Sequence, residues 1–331
     1  MRIIDVDTEA ARSACTCETV SSFDDIVSQR VLGASNHIKM ISDMIESIAD
    51  ECLEKGCDFE ETRSRIWKLA SYFVQTRGEA SQAISNAIYL MLHGIDELVA
   101  SDPLSKNIAA IIQTKDQYLA ESKKNVETAV SFAVNLSENF EHLFIYDYSS
   151  SVEKFIKKLP SKKHIYIAES RCINGGAPFI ESLKASGHTL HFFPDAACMY
   201  YLKKCEAVFM GAETIYPDGT GFNTTGSDMV GLICDYLKLP LYFITTLVKL
   251  DFRPLSGRAK NLVVNNLEDV LKEDLSSDYG KFDIDFTCPE LIAVPASHIK
   301  GYITERGIIP AAQLYDIAID YQKYLKGGTY V

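Results

Sequence analysis

The chain has 331 residues, 47% of them hydrophobic and 24% charged, with a formal net charge of −12. That length buries a large core and suits two domains or one domain with a helical appendage, while the acidic balance argues against direct nucleic-acid binding. No apolar run is long enough to span a membrane, and the N-terminal Met-Arg-Ile-Ile-Asp-Val-Asp is too short and charged for a signal peptide, so a cytoplasmic location is expected.

Residues 1–21 show no sustained period and are expected to form an irregular lead-in. From 23 to about 134 the apolar residues recur at three- and four-residue steps, as in Ile38, Ile41, Ile45, Ile48 and Leu53. Lys55-Gly56 ends that helix, because a glycine after a basic last turn is a common stop. Further helices are expected over 60–73, 79–98 and 104–140, the last a charged connector bridging solvent.

The period then changes. Strands are expected over 142–146, 164–168, 190–193, 207–210 and 241–244, with a sixth over 261–264. Helices over 177–186, 196–203 and 225–238 lie between them, and a last helix over 311–324 closes the chain. Short apolar strands alternating with amphipathic helices predict a parallel α/β sheet, with residues 1–140 as a helical domain and 141–331 as the sheet domain. Ligands of such sheets bind beyond the carboxyl ends of the strands.

The candidate chemistry falls at those ends. Arg171 precedes Gly175-Gly176, where backbone amides approach an anion and the guanidinium fork grips two of its oxygens. Arg77-Gly78 stands before a helix start and offers a second phosphate site, with a purely structural arginine as the other reading. Asp147 and Glu213 end separate apolar runs and form a candidate acid/base pair, with a cap on the helix that follows as the other reading for each, the more so for Asp147 with three serines close after it. Asn223 and Lys249 complete the polar set as anchors for hydroxyls or an acidic group. The nine cysteines are scattered and the seven histidines show no zinc spacing, so no metal and no cofactor is expected.

In combination, these motifs resemble the initiation factor 2B α/β/δ regulatory subunits and their sugar-phosphate isomerase relatives. The resemblance rests on Glu169-Ser170-Arg171 with Gly176, Asp195-Ala196-Ala197, Gly211-Ala212-Glu213, Asp218-Gly219, Asn223, Gly226, Lys249, Glu290-Leu291-Ile292 and Ile303-Thr304-Glu305. It implies an N-terminal helical domain followed by a Rossmann-like domain, a phosphorylated sugar or nucleoside monophosphate as ligand, and a homodimer or higher homo-oligomer with a protein partner. The isomerases are similar in carrying a cysteine where Asp147 stands, an aspartate at Glu213, a lysine at Thr224 and a proline at Cys172. Glu213 looks instead like the regulatory α subunit, which binds phosphosugars without turning them over. A regulatory phosphosugar-binding subunit is therefore the first expectation. An aldose–ketose isomerase of a ribose 1-phosphate-type sugar, using Asp147 and Glu213 for proton transfer, is the alternative.

Overall fold

The computed structural model describes residues 7–326 apart from 32, 261–262, 273–274, 276–279 and 281–282. It divides into two compact units: one runs to Lys124 and takes in the chain from Asp320, and the other is Asn125–Ile319.

The first unit is helical: α1 (Thr8–Ala14), α2 (Val20–Val27), α3 (Ala34–Lys55), α4 (Phe59–Gln75), α5 (Arg77–Ala80) and α6 (Gln82–Met91). Its core gathers Phe23, Ile41, Ile45, Ile48, Ile66, Phe73, Ile84 and Ile88, the residues that recur at helical spacing. Gly56 closes α3 in the left-handed conformation, as Lys55-Gly56 predicts.

Two expectations are corrected here. The irregular lead-in contains α1, whose cap Asp7 accepts the Ala10 N–H at 2.8 Å; its seven residues are too few to display a period. The single helix expected over 79–98 is interrupted, because Ser81 is extended (φ −139°, ψ 106°) and separates α5 from α6.

Helix α7 (Leu104–Leu136) runs unbroken for 33 residues. It is more than a solvated connector. Ile111 and Tyr118 join the helical core, whereas Ala129, Val130 and Ala133 join the core of the second unit.

The second unit continues with β1 (His142–Tyr146), α8 (Ser150–Lys158), β2 (His164–Ala168), α9 (Ala177–Leu183), β3 (Thr189–Phe193), α10 (Cys198–Leu202) and β4 (Ala207–Gly211). Then come β5 (Thr214–Ile215), β6 (Gly221–Thr224), α11 (Ser227–Leu237), β7 (Leu241–Ile244), β8 (Val264–Asn266) and α12 (Glu268–Leu271). The chain ends with β9 (Thr287–Pro289), β10 (Leu291–Val294), β11 (Gly301–Thr304), β12 (Gly307–Pro310) and α13 (Leu314–Leu325).

Seven strands form the main sheet in the order β12-β11-β7-β4-β1-β2-β3, parallel except for β12. Leu143, Ile145, Ile165 and Ile167 pack against Phe155, Ile156, Phe179 and Leu183 of α8 and α9. The alternate residues Phe144, Tyr146 and Tyr166 point to the opposite face and are also buried. Burial on both faces explains why these strands read as continuous apolar runs.

The expected sixth strand over 261–264 is a correction. Residues 261–262 lie outside the described ones, and Val264 opens β8, which pairs antiparallel with β9 and not with the main sheet. The place beside β7 belongs to β11, which is docked by the Lys300 N–H on the Leu241 carbonyl at 2.8 Å.

Strand order decides where a ligand can sit. From β1 the chain winds outward through β2 and β3, then returns to lay β4 on the other side of β1. The winding reverses between β1 and β4, and their carboxyl ends bound the crevice that such a reversal opens.

Candidate functional site at the sheet switch point

Asp147 follows β1 directly. Its backbone is left-handed (φ 59°), a conformation that costs a non-glycine residue on the order of 1 kcal/mol and persists only where its surroundings enforce it. Those surroundings are hydroxyl groups. Thr224 Oγ1 donates to Asp147 Oδ2 at 2.8 Å, and Ser170 Oγ donates to Oδ1 at 3.3 Å.

With only 6% of Asp147 exposed, burial raises its pKa above the usual carboxyl value. The Thr224, Tyr148 and Ser170 hydrogen bonds pull it back down in part, and the nearby Asp195 charge pushes it further up. No cation balances it among these causes.

The turn after β2 is fixed from β3. Asp195 accepts the backbone N–H groups of Ser170 and Arg171, each at 2.9 Å, which explains a carboxylate at the end of β3. Ser170 and Asn174 are left-handed (φ 50° and 52°), so this turn holds two further non-glycine residues in that region. Gly175 and Gly176 are required by space. A Cβ on Gly175 would overlap Asp147 Oδ1, and one on Gly176 would overlap the Ala168 carbonyl. Arg171, half-buried, therefore stands on a turn that closes on Asp147.

Glu213 follows β4, across the crevice, and has other company. Its N–H donates to the Phe222 carbonyl at 2.8 Å, which ties it to the β5–β6 hairpin that also carries Thr224. Its carboxylate lies 3.8 Å from the Lys249 ammonium, in a pair about one-third exposed. Lys249 closes the short turn Leu247–Lys249 after β7 and donates to the Ala212 carbonyl at 2.6 Å.

A second amine, which the sequence reading missed, joins this group. Lys260 Nζ donates to Thr214 Oγ1 at 3.0 Å, and desolvation lowers its pKa while the Glu213 charge acts the other way. The one sequence signal was its place in the basic segment Gly257-Arg258-Ala259-Lys260.

Asn223 is buried and donates to Ser227 Oγ at 3.0 Å, so it braces the start of α11. Gly226 beside it is left-handed (φ 102°), and a Cβ there would overlap the Tyr146 hydroxyl. Ser170 and Thr224, which hold Asp147, were named in the sequence only as part of Glu169-Ser170-Arg171 and as the position of a lysine in the isomerases, not as partners of Asp147.

Arg77 and Gly78 belong to the helical unit. Arg77 Nη2 donates to the carbonyls of Ile26 at 2.6 Å and Val27 at 3.0 Å, closing the open end of α2. A Cβ on Gly78 would overlap Ser85 Oγ. Both residues thus have a packing role, the structural alternative weighed for them.

The switch point therefore brings together two groups. One is a buried carboxylate held by hydroxyls, with Arg171 on the adjoining turn. The other is a partly exposed carboxylate with two amines. No group of three or more His, Cys, Asp or Glu among the described residues could hold a metal ion.

Comparison with known proteins follows this architecture. Ribose 1,5-bisphosphate isomerase of Methanocaldococcus jannaschii is 23% identical over 273 residues, covering 81% of this chain and 84% of that protein. The solved 5-methylthioribose 1-phosphate isomerase of Pyrococcus horikoshii OT3 superposes with a TM-score of 0.71 at 18% identity, covering 95% of this chain and 87% of that one. The translation initiation factor eIF-2B of the same organism superposes with a TM-score of 0.65 at 17% identity, covering 89% and 98%. The model of the Initiation factor 2 subunit family matches residues 33–311, and the chain belongs to that family.

Proposed function

We propose that this protein binds a phosphorylated aldose at the β1–β4 switch point and isomerises it to the ketose. The observation that carries the reading is Asp147: a buried carboxylate with a raised pKa, in a left-handed backbone, at the carboxyl end of β1. A carboxyl group with a raised pKa holds its proton in the ground state more readily than an ordinary aspartate does, and so can give it to a departing ring oxygen.

The step balances within the substrate. Asp147 protonates the ring oxygen O4 of the sugar 1-phosphate as the C1–O4 bond breaks, while the Glu213 carboxylate removes the proton from C2, giving an open-chain enol that keeps its phosphate on O1. Glu213 then returns that proton to C1, and the O2 hydroxyl gives its proton back to Asp147. Arg171 with the Gly175–Gly176 turn holds phosphate, and Lys249 and Asn223 meet sugar oxygens or a second acidic group. Lys249 also orients Glu213 through the 3.8 Å ion pair.

Relatives support this reading over the regulatory one expected first. The Methanocaldococcus jannaschii protein, matched over most of both chains, is named as an isomerase of a ribose bisphosphate. One observation favours the second reading, a subunit that binds the sugar without converting it: Asp147 and Glu213 sit in separate hydrogen-bonded groups. Self-association as a homodimer or larger homo-oligomer belongs to either reading and is measured by sedimentation.

The test is a thermal-shift screen with ribose 1,5-bisphosphate, 5-methylthioribose 1-phosphate, other sugar phosphates and nucleoside monophosphates, followed by NMR of each stabilising ligand. A ligand saturating at 100 times its Kd stabilises by about 2.7 kcal/mol. Conversion of a bound aldose to its ketose is expected. A ligand bound and returned unchanged would replace the isomerase reading with the regulatory one.

A further inference from the structure

Cys172 and Cys288 stand 116 positions apart in the chain, yet their sulfurs lie 3.6 Å apart. Both are free thiols and only partly buried, so a small reagent can reach them. Cys172 belongs to the β2 turn between the left-handed Ser170 and Asn174, and Cys288 is the middle residue of β9. A disulfide is about 2.05 Å long, so the sulfurs must close by roughly 1.5 Å, a distance within the range of a turn and a two-stranded hairpin.

The two segments they would join are each linked to a residue that holds Asp147. Ser170, which donates to Asp147, is two residues before Cys172. Thr224, the other donor, pairs in the β6–β10 ladder with Leu291, three residues after Cys288. Thr225 ties the same corner down: its hydroxyl bonds the Pro289 carbonyl, and its N–H donates to the Glu290 carbonyl at 3.1 Å. Asp147 is only 6% exposed, so a substrate reaches it only when its surroundings move.

We propose that Cys172 and Cys288 form a thiol–disulfide modification site, oxidised by a small-molecule disulfide, and that the resulting bond straps the β2 turn to the β9–β10 segment and hinders access to Asp147. The first half stands on the sulfur geometry alone; the second rests on the proposed role of Asp147. One cysteine thiolate attacks a sulfur of the external disulfide, breaking its S–S bond and releasing one thiol. The second cysteine thiolate then attacks the protein-bound sulfur of the mixed disulfide and expels the other thiol. The protein loses two electrons and two protons, and the external disulfide becomes two thiols.

Burial, and then the neighbouring Cys288, push the Cys172 thiol up to about 11. Attack through Cys172 is accordingly slow at neutral pH and speeds up in mild alkali. The reduced form also gains nothing from a stabilised Cys172 thiolate, so the bond, once made, resists reduction.

The test incubates the full-length protein with oxidised glutathione at mildly alkaline pH and maps peptides without reduction. A cross-linked Cys172–Cys288 peptide pair is expected, lost after dithiothreitol and absent from Cys288→Ser. Glutathione adducts on single cysteines with no cross-link, or a bond to another cysteine, would overturn the site. For the strap, oxidised wild type is expected to lose about tenfold or more in turnover, or in affinity if the ligand is returned unchanged, with recovery on reduction. Cys288→Ser treated alike should lose none. A mapped bond with unchanged turnover and affinity would overturn the strap. If no sugar phosphate binds to either form, the sugar-phosphate reading and the strap fail together, and the peptide map still decides the disulfide.

Discussion

Asp147 and Glu213 occupy matching places, each just past a strand that borders the switch point, and the sequence presents them alike. Their surroundings differ. Asp147 is buried among hydroxyls with a second carboxylate near, whereas Glu213 is about one-third exposed and faces two amines. Environment, not residue type, separates a carboxyl group whose pKa is raised from one paired with a cation. That contrast divides the proposed chemistry into a donor and an acceptor.

The sharpest way to break the contrast is to remove one titrating group and keep its shape. Asp147→Asn retains a carbonyl for the Thr224 hydroxyl, so the fold should survive while turnover falls by about 10²–10⁴. Glu213→Gln should fall comparably. A Gln variant that turns over normally would take Glu213 out of the proton path and leave Asp147 to be explained alone.

Next in size is the space around Asp147. Gly175→Ala forces a methyl group against Asp147 Oδ1 and should cost about 1–3 kcal/mol by denaturant titration. Gly56→Ala, left-handed (φ 67°) but open on all sides, should cost only about 1 kcal/mol. Equal losses at the two positions would mean that the β2 turn yields, and that Asp147 is held less firmly than its hydrogen bonds imply.

The pH dependence of stability tests the protonation state directly. Because the folded pKa of Asp147 is raised, the folded protein binds that proton more tightly than the unfolded chain. Its stabilising contribution is complete below the ordinary carboxyl value and declines as pH rises through the raised value. Asp147→Asn should flatten this part of the pH–stability curve, as read from midpoints at several pH values. The smallest effect is expected in the helical unit. Arg77→Ala removes the hydrogen bonds to Ile26 and Val27 and should lower stability by about 1 kcal/mol without changing ligand affinity. A large affinity loss would instead restore Arg77 as a phosphate ligand.

Much of the sheet was legible because its period changes sharply at residue 141: three of the expected strands, 142–146, 164–168 and 241–244, coincide with β1, β2 and β7. The short α1 and the displaced sixth strand were not, since seven or four residues carry too little pattern and the pairing of β11 with β7 is a long-range event. At the site, carboxylates and glycines stood out by residue type and place. The hydrogen bonds of Ser170 and Thr224 to Asp147, the amine of Lys260 and the meeting of Cys172 with Cys288 did not, because each depends on segments folded together from distant parts of the chain.

The central claim is that Asp147 is a proton donor to a sugar phosphate. It is tested most directly by following a stabilising aldose phosphate by NMR with wild type and Asp147→Asn side by side. Ketose formed by wild type, and a rate at least about 10²-fold lower for a folded variant that still binds the ligand, is the predicted result. Equal rates for the two proteins, or no ketose from wild type with ligand bound, would contradict it.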